Sequence, residues 1–135
     1  MTIYRIQLDR RFSDLDQLGH VNNVVYGDYV QEARIRVNRR MRAEGVEMPA
    51  QVVARQEIDY IRPLHLNPEP IVVEVWVESV GNSSYVQCQR IYDNDGTLAA
   101  KARTVVVTFD PVAEKSRPLP ANFREYLLGA IEVVE

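Results

Sequence analysis

The chain has 135 residues, of which 46% are hydrophobic and 26% charged, and its net charge is −3. This length suits one domain with a single core, and the acidic balance gives no reason to expect a nucleic-acid partner. No stretch approaches the roughly 20 apolar residues that span a bilayer. The start of the chain lacks the apolar core of a signal peptide, and the lone Cys88 excludes an intrachain disulfide. We therefore expect a single cytoplasmic domain over residues 1–135, with no membrane partner.

The first predicted element is a strand within residues 2–12, where Tyr4, Ile6 and Leu8 alternate with polar residues. The polar stretch SDLDQLGHVNN, residues 13–23, comes next.

A long helix is predicted over residues 22–45, because apolar side chains recur at spacings of three and four. They are Tyr26, Val30, Ala33, Val37 and Met41. Gly45 is the expected stop. Gly27 costs on the order of 1 kcal/mol relative to alanine inside a helix, so we expect another backbone to approach closely there.

Four more strands are predicted, and a short helix at 121–131 ends the chain. The strands lie within residues 51–64, 70–81, 83–93 and 97–110. The long helix has to bury its apolar stripe, and the antiparallel sheet is its available partner. The predicted fold class is therefore α+β, with a curved antiparallel sheet wrapped around one long helix. Such a sheet has exposed edges, and we expect dimerisation through an edge strand.

The polar stretch before the helix has two interpretations. Asp and Asn are common in turns and helix caps, so Asn22 or Asn23 can cap the helix and Asp16 can lie near its positive end. Alternatively, the free N–H groups of the helix start hold a developing oxyanion. Asp16, returning past Gly19, then attacks the same carbon or activates a water. That arrangement performs acyl transfer without a metal or a serine nucleophile.

A family resemblance rests on the run D-x-D-x-x-G-H-V-N-N-x-x-Y-x-x-Y-x-x-E-A-R, residues 14–34. It resembles the hotdog-fold acyl-CoA thioesterases of the 4-hydroxybenzoyl-CoA thioesterase type, and the similarity continues through the strands to about Pro111. The resemblance implies a hotdog fold, a homodimer or homotetramer with active sites at the interface, and hydrolysis of acyl-CoA to free acid and CoA without a cofactor. The version HVNN is similar to members that act on aliphatic acyl-CoA.

The resemblance also implies roles for residues of this loop. Asp16 is the catalytic carboxylate, the backbone N–H of Asn23 polarises the thioester carbonyl, and Gly19 permits the tight approach. His20 stands where related plant acyl-carrier-protein thioesterases have a functional histidine. Leu18 replaces their asparagine, however, so a hydrogen bond that positions the loop is an equal alternative for His20.

Residues outside the loop are expected to bind substrate. Tyr29 is expected to line an acyl pocket, and the coenzyme contacts are expected from Arg62, His65, Ser83 and Ser84. Asp14 is expected to be structural, held by Arg11 or another cation, since two close carboxylates do not both ionise cheaply. The second half of the long helix is rich in arginine, which either complements the helix dipole or grips the coenzyme phosphates.

Two alternative functions remain at the level of sequence. One is a thioesterase that acts on acyl groups carried by a carrier protein in fatty-acid or polyketide synthesis. The other is a non-catalytic module that binds acyl-CoA. Cys88, which lies in an alternating strand pattern, is expected to be a packed thiol.

Overall fold

The computed structural model describes residues 1–132. The helices and strands, in chain order, are β1 (Tyr4–Leu8), a 3-10 turn (Phe12–Asp14), α1 (Asn23–Ala43), β2 (Gln51–Tyr60), β3 (Ile71–Val80), β4 (Ser84–Tyr92), β5 (Leu98–Asp110), β6 (Lys115–Ser116) and α2 (Ala121–Ile131). Each predicted element is present, and the structure adds the 3-10 turn and the two-residue β6. No helix within residues 1–132 is both long enough and apolar enough to cross a membrane.

The strands form one antiparallel sheet in the order β1-β3-β4-β5-β2, and β6 pairs with the end of β5. In β2, Gln51 lies opposite Thr108 and Tyr60 lies opposite Ala100. Because β2 follows the helix but pairs with the last long strand, β1 and β2 become the two edges of the sheet. The predicted α+β class, with a curved antiparallel sheet and one long helix, is confirmed.

The core lies between α1 and the sheet, and α1 packs mainly on β1 and β3. All five residues of the predicted helical stripe are buried, and so are the three alternating residues of β1. Gly45 follows the end of α1 with a φ of 87°, a left-handed conformation that favours glycine. The predicted stripe and stop are therefore confirmed.

Strand β2 is exposed on both faces, and only Gln51 and Ile58 are partly buried. The apolar and polar positions that alternate in its sequence do not alternate in burial. The reason is its place at the edge of the sheet, because α1 packs mainly on β1 and β3, and its first turns meet β2 at the side chains of Gln56 and Tyr60. A bulge between Val53 and Arg55 also interrupts its pairing with β5.

The expectation for Gly27 is wrong. A Cβ placed on this glycine would lie 3.6 Å from the side-chain Nε2 of Gln56, which is an ordinary van der Waals distance. The neighbour is thus the end of a side chain on β2, and no backbone of residues 1–132 approaches closely there. Gly27 is not required by the packing within the chain.

Candidate active site

Asp14, the first acid of the loop, is buried, and both oxygens of its carboxylate accept hydrogen bonds. Its Oδ1 accepts from Nε of Arg11 at 3.0 Å, and its Oδ2 accepts from the Arg11 backbone N–H at 2.9 Å and from the Tyr29 hydroxyl at 2.8 Å. Burial alone would raise the pKa of Asp14, but these hydrogen bonds and the charge of Arg11 outweigh it and hold the pKa below its usual value. The predicted contact between Asp14 and Arg11 is confirmed, and the structural role of Asp14 stays a prediction.

Asp16, the second acid, is exposed on a tight loop that closes on itself. Its Oδ1 accepts from the backbone N–H groups of Leu18 at 2.8 Å and His20 at 3.2 Å. Its own N–H donates to the His20 carbonyl at 2.8 Å, and Gly19 turns the chain with a φ of 75°. These bonds fix the carboxylate through one oxygen, and Oδ2 has no hydrogen-bond partner among residues 1–132.

The start of α1 distinguishes the two asparagines. Asn22 is the cap, because its side chain accepts from the N–H of Val24 at 3.1 Å. Asn23 is the first helical residue, and its N–H donates to no acceptor within residues 1–132, as expected for the first turn of a helix. Its carbonyl accepts from the Tyr60 hydroxyl at 3.2 Å.

A cleft of about 340 Å³ brings these groups together. Asp16 and His20 contribute from the loop, Asn23 from the helix start, and Tyr60 and Arg62 from the end of β2 and the residues after it. The cleft therefore combines a carboxylate that is hydrogen-bonded through one oxygen, a helix N-terminus, an imidazole and a guanidinium. Such a set is suited to attack on a carbonyl carbon whose oxygen becomes negative.

A second hollow adjoins the same carboxylate. It has a volume of about 860 Å³, and Asp16 and Gly19 share it with the apolar side chains of Phe12, Leu15 and Leu18. Asp16 thus lies between two clefts, each lined by both polar and apolar residues.

His65 lies beside the first cleft, in contact with His20. The two rings meet edge to face with their centroids 4.8 Å apart, and the two residues form an isolated backbone bridge. With Arg62 and Asp93, His65 also lines a smaller neighbouring cleft of about 230 Å³. Two of the predicted coenzyme contacts, Arg62 and His65, are therefore close to Asp16 in the fold.

The other predicted binding residues lie away from the Asp16 cleft in the fold of a single chain. The Tyr29 hydroxyl is occupied by Asp14, and its ring lines a hollow beside Arg11 and not the Asp16 cleft. Ser83 ends the turn before β4 and Ser84 is the first residue of that strand, at the end of the sheet opposite Tyr60. A single chain does not bring that turn to Asp16.

On the surface of α1, Arg36 forms an ion pair with Glu32, to which its Nε donates at 3.0 Å. Arg34 is different, because its guanidinium is half-buried, burial lowers its pKa, and one of its terminal nitrogens has no acceptor. Cys88 is partly buried beside Glu78, and burial together with that carboxylate raises the pKa of the thiol to about 11. Cys88 lies on the face of β4 opposite the buried Gln87 and Gln89, so the thiol is only partly packed.

Sequence reasoning missed two contributors to the site region. Tyr60 starts the aromatic-x-x-Pro pattern that ends β2, and that pattern was the available signal for it. Arg10 is buried behind the loop after β2 and has no local signal, because its partners are 55 or more residues away. Within residues 1–132, no three His, Cys, Asp or Glu side chains are grouped as metal ligands would be.

Comparison with known proteins identifies the class. Residues 10–127 match the profile of the thioesterase-like superfamily, and the chain belongs to that family. It is a hotdog-fold acyl-CoA thioesterase, that is, a thioester hydrolase.

Two relatives show the similarity over nearly the whole chain. The acyl-CoA thioester hydrolase YbgC of Escherichia coli is 28% identical over 125 residues, which cover 90% of this chain and 92% of the relative. A thioesterase from Thermus thermophilus, solved in complex with coenzyme A and Zn, is 37% identical with a TM-score of 0.79, and the match covers 94% of this chain and 92% of that one. A 1,4-dihydroxy-2-naphthoyl-CoA thioesterase from Synechocystis, at 17% identity and a TM-score of 0.77 over 94% of this chain and 96% of its own, shares the fold.

Proposed function

We propose that this thioesterase hydrolyses aliphatic acyl-CoA to a free acid and CoA, with Asp16 as the reacting carboxylate. One observation carries the proposal: the carboxylate of Asp16 and the start of α1, with the unpartnered N–H of Asn23, line the same cleft. A carbonyl carbon in this cleft can be approached by the acid while its oxygen accepts a hydrogen bond from the helix N-terminus.

The reaction has two balanced routes from this arrangement. In one, Oδ2 of Asp16 adds to the thioester carbon, the C–S bond breaks with release of the CoA thiolate, and water then hydrolyses the resulting anhydride. In the other, Asp16 takes a proton from a water, whose oxygen adds to the carbon before the C–S bond breaks. In both routes the N–H of Asn23 stabilises the oxyanion, and the backbone N–H groups of Leu18 and His20 orient the carboxylate.

The surroundings of Asp16 support an assignment of the acyl chain and of the coenzyme to separate places beside it. The exposed apolar side chains of Phe12 and Leu18, with Leu15 in the same open hollow, offer a surface for an aliphatic acyl chain. Arg62 lines the same cleft as Asp16 and suits an amide oxygen of the coenzyme's pantetheine arm, which adjoins the thioester sulfur, and the relative solved with coenzyme A supports a CoA substrate. In this proposal Tyr29 supports the loop through Asp14 and does not contact the acyl group.

A second copy of the chain completes the site in the proposed assembly. Strand β2 is an exposed edge with apolar side chains at Val52 and Val53, and such edges pair readily with another strand. When β2 pairs antiparallel with β2 of a second copy, the two strands run in opposite directions, so the start of one lies beside the end of the other. The Ser83–Ser84 turn, which lies near the start of β2, is thereby carried toward the Tyr60 end of the other copy. A homodimer thus reunites the predicted coenzyme contacts. Further assembly into a tetramer and a cytoplasmic location stay predictions.

The substitution Asp16→Asn tests the proposal. It keeps the size of the side chain and its acceptor oxygen but removes the reactive anion, so kcat on acyl-CoA should fall by about 10²- to 10⁴-fold. CoA release is measured with a thiol reagent over a series of acyl chain lengths. The high pKa of Cys88, about 11, keeps the background of the protein low.

Asp9→Asn is the matched control, because Asp9 is an exposed aspartate shortly before the same loop. Its kcat should equal that of the parent protein, and the thermal transition of each variant shows that both remain folded. Nearly full turnover in Asp16→Asn would remove Asp16 from the mechanism, and binding of acyl-CoA without release at any chain length would favour a non-catalytic module.

A further inference from the structure

Arg10, which follows β1, is a buried guanidinium with four hydrogen bonds. Its side chain is only 1% exposed, although arginine is rarely buried unless it is paired. Nη1 donates to the carbonyl of His65 at 3.1 Å and to Oδ1 of Asp93 at 2.7 Å. Nη2 donates to the carbonyl of Glu69 at 2.9 Å and to Oδ1 of Asn94 at 2.9 Å. One side chain therefore ties the end of β1 to the loop between β2 and β3 and to the turn between β4 and β5.

The loop between β2 and β3, residues 61–70, has no strand pairing apart from the isolated bridge at His65. Its inner part is held by Leu64, whose N–H donates to the Tyr26 hydroxyl at 3.1 Å and whose carbonyl accepts from Val21 at 2.7 Å. Its outer part, from His65 to Glu69, is held by the guanidinium of Arg10. The position of His65 thus depends directly on Arg10.

A short chain of contacts leads from His65 to the reacting acid. His65 meets His20 through the backbone bridge and through the edge-to-face rings. The His20 carbonyl accepts from the N–H of Asp16, and the His20 N–H donates to Oδ1 of Asp16. Movement of His65 is therefore transmitted by two steps to the orientation of the carboxylate.

We propose that Arg10 is a positioning residue for thioester hydrolysis, acting through His65 and His20 on Asp16. The inference rests on the proposed role of Asp16. The planar fork of arginine is required, because one rigid group has to donate to two backbone carbonyls and two side chains at once. A lysine supplies a single point of charge and does not reproduce this geometry.

Arg10→Lys is the main test. It keeps the charge beside Asp93 but loses the fork, so kcat should fall by about 10- to 100-fold, the scale expected for a small misplacement of a catalytic group, while KM changes little. Arg5→Lys is the matched control, since Arg5 lies on β1, just before Arg10, and its exposed side chain forms an ion pair with Glu74. Arg5→Lys should leave kcat and KM unchanged. A normal kcat in folded Arg10→Lys protein, with only a lower thermal transition, would show that Arg10 is merely structural.

A double-mutant comparison shows whether the effect passes through Asp16. In the Asp16→Asn background, Arg10→Lys should cause no further loss of kcat, because the group that it positions no longer reacts. An equal loss in both backgrounds would overturn the inference. Full activity of Asp16→Asn alone would instead overturn the proposed function, so the two failures are distinguishable.

Asp93→Asn covers the case in which Arg10→Lys does not fold. It weakens one of the four hydrogen bonds of Arg10 by changing the acceptor, and Arg10 itself is unchanged. Its kcat should fall in the same direction by a smaller factor, again with little change in KM. Unchanged kcat in Asp93→Asn, combined with an unfolded Arg10→Lys protein, would contradict a positioning role.

Discussion

Asp14 and Asp16 are two residues apart, yet their surroundings give them different tasks. Among residues 1–132, Asp14 accepts three hydrogen bonds and lines neither of the two clefts, whereas Asp16 is exposed and accepts through Oδ1 only. The motif D-x-D was visible in the sequence, and the structural task of Asp14 was predictable from the cost of two neighbouring anions. Its bond to Tyr29 was not, because that contact joins residues on different elements.

The environment of Asp14 makes a pH-dependent contribution to stability. Its pKa is lowered in the folded chain, so the stabilisation is complete above the ordinary value near 3.9 and is lost as the pH falls through the folded value. Asp14→Asn should lower the free energy of unfolding by about 1–3 kcal/mol at pH 6, and the difference from the parent should shrink below about pH 4. Urea titrations from pH 3 to pH 6 measure it. A difference that stays constant down to pH 3 would be inconsistent with a depressed pKa.

At the scale of elements, the sequence patterns predicted the features that depend on residues close together in the chain. The period of the apolar residues identified α1 and its buried face, and the left-handed Gly45 marked its end. The burial of β2 was not predictable in this way, since it depends on which end of the sheet the helix covers. The reach of Arg10 to residues 55 to 84 positions away is likewise a property of topology.

Gly27 provides a test at this scale. The nearest atom to an added methyl group is the flexible end of Gln56, at 3.6 Å, so Gly27→Ala should fit and should raise the free energy of unfolding by about 0.5–1 kcal/mol. Gly129→Ala in α2 is the matched control, because nothing lies within 4 Å of its added methyl group. Chemical denaturation of both variants measures the gain. A loss of stability in Gly27→Ala alone would mean that a group from outside the chain packs against this turn of α1.

At the scale of the whole molecule, the two edges of the sheet are unequal. β1 is packed beneath α1, whereas β2 is ten residues long and exposed on both faces. In the proposed dimer a two-fold axis near the middle of β2 places Gln51 of each copy opposite Tyr60 of the other. The cleft at Tyr60 then faces the partner. In a single chain, by contrast, Asp16 is exposed and the Ser83–Ser84 turn is distant from Asp16. Assembly and catalysis are therefore coupled in this proposal.

Val53→Lys tests that coupling. Val53 is 42% exposed on the open edge. In the proposed register it lies opposite Ile58 of the second copy, and a lysine there opposes strand addition because it places a charge on this edge. The parent protein should sediment as a dimer or tetramer, and Val53→Lys should shift it to the monomer and lower kcat/KM at least about tenfold, since coenzyme contacts worth about 1.4 kcal/mol are lost with the partner. Leu128→Lys is the control, because Leu128 is also 42% exposed but lies on α2, which packs on β3 and not on the β2 edge, and it should change neither quantity. A Val53→Lys monomer with full activity would mean that one chain holds a complete site, and a monomeric, active parent protein would refute the assembly itself.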